Sequence, residues 1–201
     1  MTMRAVFKTG FLAVLVSGGL GMAPALASDA SNPAAKRIVS IGGTVTEILY
    51  ALGAGDRIIA RDSTSTFPVE AMKKPDIGYM RALSPEGILG QSPDLILSED
   101  GAGPPDALAI LKASEIPMVM IDTPPDGAAI AKKIRDVGSA VGLSDKAETL
   151  AVKTDADLAG LAGEVKKLPQ SRKRVLFVLS VANGRIMAGG KDTEAAAIIE
   201  M

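Results

Sequence analysis

"RIVSIGGTVTEILYALGAGDRIIAR", residues Arg37 to Arg61, is the stretch from which the fold can be read. Arg37 to Ile41 is a short β-rich run that ends at Gly42-Gly43. Beyond the glycines, Val45, Ile48, Leu49 and Leu52 recur at helical intervals, and Thr44 and Glu47 have capping-box spacing. Gly53 or Gly55 ends that helix, and Arg57 to Arg61 reads as a second strand. Strand, helix and strand in so short a span predict a crossover unit and a parallel sheet.

The alternation continues downstream. "PDLILS" (Pro93 to Ser98) and "PMVMID" (Pro117 to Asp122) are two further strands, preceded by the helical stretches "SPEGILGQ" and "PDALAILKAS". Strands that are apolar almost throughout are covered on both faces. Such sheets take ligands in the crevice beyond the carboxyl ends of their strands. The segments placed there are 42–44, 62–66, 99–105 and 122–127, which are rich in Gly and Pro where the backbone must turn or approach something closely.

From Ser144 to Leu168 the chain has no proline, and Ala147, Leu150, Ala151, Thr154, Leu158, Leu161, Ala162 and Val165 form one stripe. Ser144 and Asp145 are the start signals and Pro169 the stop. Wholly helical, this segment spans roughly 37 Å, the width of a small domain. "KRVLFVLS" (Lys173 to Ser180) then returns as a strand. The predicted architecture is α/β: two Rossmann-like lobes joined by one long helix, with the second lobe incomplete. The boundaries are an N-terminal lobe at 37–143, a connecting helix at 144–168 and the start of the other lobe at 169–201. "DTEAAAIIEM" reads as a helix capped by Asp192 or Thr193 that stops after about two turns, the pattern expected of a shortened chain.

Residues 1–27 read as a secretory signal: Arg4 and Lys8, an apolar run, then "APALA" before the cut. The run is short for a membrane anchor and is broken by Ser17, Gly18 and Gly19. Residues 28–36 are expected to be a flexible lead-in. Without Arg4 and Lys8 the 22 basic residues fall to 20 against 23 acidic ones, a net charge of −3. That balance does not suggest a nucleic-acid partner. No later run is long enough to span a bilayer. An exported chain without cysteine has neither a disulfide framework nor a lipid-anchored thiol, so a monomer retained in the periplasm is expected.

The chain has no histidine, cysteine or tryptophan, which weighs against a nucleophilic triad or a zinc site. "SIGGT" is neither a Walker loop nor a full dinucleotide fingerprint. Acidic residues alone leave an exported hydrolase as a poor alternative. Tyr79, in "DIGYMRALSPEGIL", is one of two tyrosines. A phenol is ordinarily neutral, but beside ferric iron it can ionise and bind through oxygen. Arg81 lies two residues on, on the same side of an extended loop, where it can steady a phenolate or meet a carboxylate. Gly78 admits close approach of a flat ligand. On spacing alone the residues favour a half-buried tyrosine beside a surface arginine. Tyr50, on the periodic helix, reads as packing.

Together "RIVSIGGTVTEILYALGAGDRIIARDSTS", "DIGYMRALSPEGIL" and "SEDGAGPPDAL" resemble the haem-binding periplasmic proteins of bacterial haem ABC importers. These belong to the class III, helical-backbone group that also carries cobalamin and ferric siderophores. The resemblance runs from about Arg37 to Met201 and is most specific at "GYMRALS". It implies a non-enzymatic carrier of ferric haem b, with Tyr79 as the axial iron ligand and Arg81 supporting the phenolate or a propionate. Gly78, Gly42, Gly43, Gly101, Ala102, Gly103 and Pro104 would line the pocket. Glu86 would dock onto the ABC permease, which works with its ATPase in the inner membrane. It further implies that relatives continue beyond Met201, where a second docking glutamate and any second axial ligand would lie. Arg185 and Met187 are weaker candidates for the same pocket. A siderophore or cobalamin cargo, or a haem sensor without a permease, are the alternatives.

Overall fold

In a computed structural model, the described residues are 32–122, 124, 127–168 and 173–200; the expected signal segment lies outside them. Four parallel strands, β1 (Ile38–Ile41), β2 (Ile58–Arg61), β3 (Leu95–Glu99) and β4 (Met118–Ile121), form a sheet in the order β2-β1-β3-β4. The order reverses between β1 and β3, which opens the crevice there. Helices α1 (Gly43–Ala51), α2 (Pro85–Leu89), α3 (Pro105–Ala113) and α4 (Gly127–Ala140) cover the faces. Strand alternation sorts the core. Ile38, Ile58, Leu95 and Leu97 pack with Val45, Leu49, Ile134 and Val137 on the α1/α4 face. Val39, Ile41, Ala60 and Ile96 pack with Ile88, Ala107 and Leu111 on the α2/α3 face.

Several local expectations need correction. α1 begins at Gly43 with Gly42 as N-cap and no side-chain cap, so Thr44 lies inside the first turn and the capping box with Glu47 does not form. Gly53 follows the C-cap Leu52, as one of the two expected stops. The lead-in is held down where it is described. Asn32 bonds to Ala140 O and Asp94 O, Ala35 is buried, and the Asp94 carboxylate accepts from the amides of Lys36 and Arg37.

The long helix, α5 (Ser144–Val165), starts at Ser144 itself, with Leu143 as an N-cap lacking a side-chain bond. The connection is too short for a separate cap, because Leu143 N bonds Gly138 O at 2.7 Å while Leu143 O accepts from Ala147 N at 2.9 Å. α5 packs on α4, which the sequence reading passed over. Only Ala147 and Ala151 of the expected stripe are buried, and Leu161 and Val165 are exposed. Beyond it, β5 (Val178–Ala182) and β6 (Arg185–Ala188) pair as an antiparallel ribbon, followed by α6 (Glu194–Glu200). Lys173 to Phe177 are not strand, so the expected strand begins late. Thr193 caps α6 by accepting from Ala196 N at 3.2 Å. No helix among the described residues is long and apolar enough to cross a membrane.

Candidate functional site

The site is assembled at the carboxyl ends of β1, β2 and β3. Gly42 leaves β1 with φ of 104°, and a Cβ there would lie 2.5 Å from Glu99 Oε2, so glycine alone fits. Gly43 comes close to Thr64 O. Beneath them, fully buried Asp62 accepts from Gly42 N (2.9 Å), Thr64 N (3.0 Å), Thr64 Oγ1 (2.6 Å) and Ser65 Oγ (2.7 Å). Thr46 Oγ1 joins Ser65 and Ser40 at 2.7 Å each. A carboxylate satisfied on this scale is structural, and it locks the turn after β1 to the turn after β2.

Pro75 to Gly78 run along the outer flank of β2. Arg61 N donates to Pro75 O, Ile77 N to Arg61 O and Ser63 N to Gly78 O, and Arg61 pairs with Asp76 at 2.9 Å. Gly78 (φ 93°) donates to Asp76 Oδ1 and turns the chain inward. Gly103 then holds the next residues from the β3–α3 loop: its N–H donates to Met80 O at 2.9 Å, and its carbonyl accepts from Leu83 N at 2.9 Å. The segment from Gly78 to Leu83 is thus strung over the sheet end, from the far side of β2 to the loop after β3.

Met80 and Leu83 pack into the α2/α3 core, whereas Tyr79 and Arg81 face outward. Tyr79 is 46% exposed, so its ring is not committed to packing. Arg81 forms no ion pair among the described residues. Both side chains are therefore available to a ligand. Gly101 stands in open space, Ala102 packs on the core, and the exposed Pro104 caps α3. Glu86 is exposed in the first turn of α2, behind the Ser84 cap. Arg185 and Met187 lie exposed on the β5–β6 ribbon. Tyr50 packs over Gly55, and burial raises its pKa. The structure thus brings Gly42, Gly43, Tyr79, Arg81 and the 101–104 loop to one end of the sheet.

The family profile described as periplasmic binding protein matches residues 38–201. The chain belongs to the periplasmic binding protein family. Its fold is the class III form of that family. Among solved structures, the periplasmic heme-binding protein RhuT from Roseiflexus sp. RS-1, in apo form, aligns at 35% identity with a TM-score of 0.78. That match covers 82% of this chain and 63% of RhuT. The ABC transporter substrate-binding lipoprotein YvrC of Bacillus subtilis (strain 168) is 29% identical over 178 residues, 85% of this chain and 56% of its own. The vitamin B12-binding protein of Yersinia pestis (strain Pestoides F) is 36% identical over 89 residues, 44% of this chain and 32% of that protein. This periplasmic binding protein therefore spans less than two thirds of the relatives it matches.

Sequence reasoning missed one buried and one partly buried charged group of this binding protein. Glu99, the last residue of β3, passes for a solvated loop acid, and Lys133, on the unread helix α4, is only 7% exposed. Lys133 Nζ stands 3.8 Å from Glu99 Oε1. Burial pushes the Glu99 carboxyl above the usual range; the Thr44 hydroxyl and Lys133 pull it back, while Glu194 and Asp62 push it further up. The folded chain therefore holds this proton more tightly than the unfolded chain. Its contribution to stability is full below the ordinary carboxylate pKa and is lost as pH rises through the higher folded value. The stability of wild type relative to Glu99→Gln is expected to fall across that window. Urea midpoints of both proteins from about pH 4 to about pH 7 check this, and parallel curves would contradict it.

Proposed function

We propose that this periplasmic binding protein captures ferric haem in the periplasm, as a monomer, and delivers it to an inner-membrane ABC permease and its ATPase. The observation that carries the proposal is an exposed phenol and an exposed guanidinium, Tyr79 and Arg81, on one segment anchored at both ends over the crevice. A phenolate is a hard, anionic oxygen ligand that favours Fe(III) over Fe(II). Arg81 supplies positive charge that lowers the cost of forming the phenolate or pairs with a propionate. Gly78, Gly43, Gly101 and Pro104 give the macrocycle a wall of backbone with few side chains, backed by the buried Gly42 and Gly103 and the core-packed Ala102. Glu86, free on the surface, is the handle offered to the permease. RhuT supports this cargo because its match runs over most of the chain.

Cobalamin is the second reading, favoured by the 89-residue match to the vitamin B12-binding protein. Titration of purified protein with hemin, followed by absorbance, separates the two. Saturation at one haem per chain, with a ferric phenolate band that cobalamin or a ferric siderophore does not displace, is the expected result. No spectral change with hemin, or displacement by cobalamin, overturns the haem assignment.

A further inference from the structure

Glu99 sits where β3 gives way to the loop that holds the Tyr79 segment. By strand alternation it points to the α1/α4 face, like Leu95 and Leu97. There its side chain lies against the bare Cα of Gly42 and faces Lys133 on α4. Burying a carboxylate and an ammonium opposes stability unless they are well compensated, and an apolar pair of similar volume packs at no such cost. What the charged pair adds is a fixed position linking β3, the turn after β1, and α4.

The chain beyond Glu99 needs such a fixed point. Asp100 N is tied to Ile121 O at 3.0 Å, but Gly101 has a positive φ and open space around it. Two residues later, Gly103 grips Met80 and Leu83 on either side of Arg81. We infer that the Glu99–Lys133 pair is a positioning device for the Tyr79 segment, fixing the root of the 101–104 loop and, through Gly103, the height of Tyr79 over the crevice. It touches no cargo itself and acts through the loop.

Amide hydrogen exchange of the full chain tests this without any ligand. In Lys133→Met, the amides of Gly103 and Leu83 are expected to exchange at least about 10-fold faster, while the sheet amide of Ile96 changes by less than about 2-fold. Lys133→Arg is expected to restore wild-type rates. Glu99→Gln, close to isosteric, is the second variant and is expected to loosen the same two amides. Unchanged Gly103 and Leu83 exchange, or acceleration shared equally by Ile96, overturns the inference. So does loss of the cooperative unfolding transition in both variants, which would make the pair a core strut. A hemin titration of the same variants rests on the haem reading. A wild type blind to hemin removes that reading and leaves the exchange comparison to decide this one.

Discussion

Tyr79→Phe is expected to weaken hemin binding by about 100-fold or more, equivalent to about 2.7 kcal/mol, and to abolish the ferric phenolate absorption. The substitution removes one oxygen from a ring that is 46% exposed and whose hydroxyl makes no hydrogen bond among the described residues, so the fold should not register it. Substitutions of that kind stay within about 0.5 kcal/mol. Affinity and stability therefore separate cleanly. The urea midpoint should be unchanged while the hemin titration shifts. Tyr50→Phe is the matched control, because that ring packs over Gly55 on the α1 face. It should leave the hemin spectrum alone. A Tyr79→Phe protein with wild-type affinity and spectrum would overturn the proposed iron–oxygen bond and leave Arg81 without the role proposed for it.

The second large effect concerns the helix pair behind the sheet. Gly138→Ala is expected to destabilise the protein by about 2 kcal/mol, even though alanine is the better helix former by about 1 kcal/mol. The added methyl would overlap the Cβ of Ala147, which is fully buried, and would lie 3.2 Å from Leu143 O. Neither neighbour is the free end of a flexible side chain, so α4 and α5 must separate. The melting temperature should fall by roughly 4–8 °C for a domain of this size. Gly160→Ala and Gly163→Ala, on the same α5, have open space at the new Cβ and should gain a few tenths to 1 kcal/mol. Opposite signs at glycines of one helix pair are the mark of steric rather than conformational control. If Gly138→Ala also stabilises, the close packing of these helices is wrong.

What could be read in the sequence follows from how local the cause is. Ile38 to Ile41 and the Val45, Ile48, Leu49 periodicity place themselves, and the family-wide course of β1, α1 and β2 was legible from them. Tyr79 and Arg81 stood out because Gly78 precedes them and because so few other side chains could bind a metal. Neither the full burial of Asp62 nor the partial burial of Glu99 was legible. Their burial comes from strand order, which brings the turn after β1 between β2 and β3 from distant parts of the chain. α4 was overlooked although Ile130, Ile134, Val137 and Val141 have helical spacing, because Gly127, Gly138 and paired lysines dilute the signal. The α5 stripe was correctly phased, but a stripe cannot say how far a neighbouring helix extends. α4 covers its first turns and leaves Leu161 and Val165 exposed among the described residues.

The strap from Gly78 to Leu83 is fastened by main-chain atoms, at Ser63 on one side and Gly103 on the other. Neither fastening depends on what residue 79 or 81 happens to be. Chemistry and scaffold are thus separately editable: under the proposed haem reading, a different metal preference or cargo charge asks for new side chains at two sites, with no rebuilding of the loop that presents them.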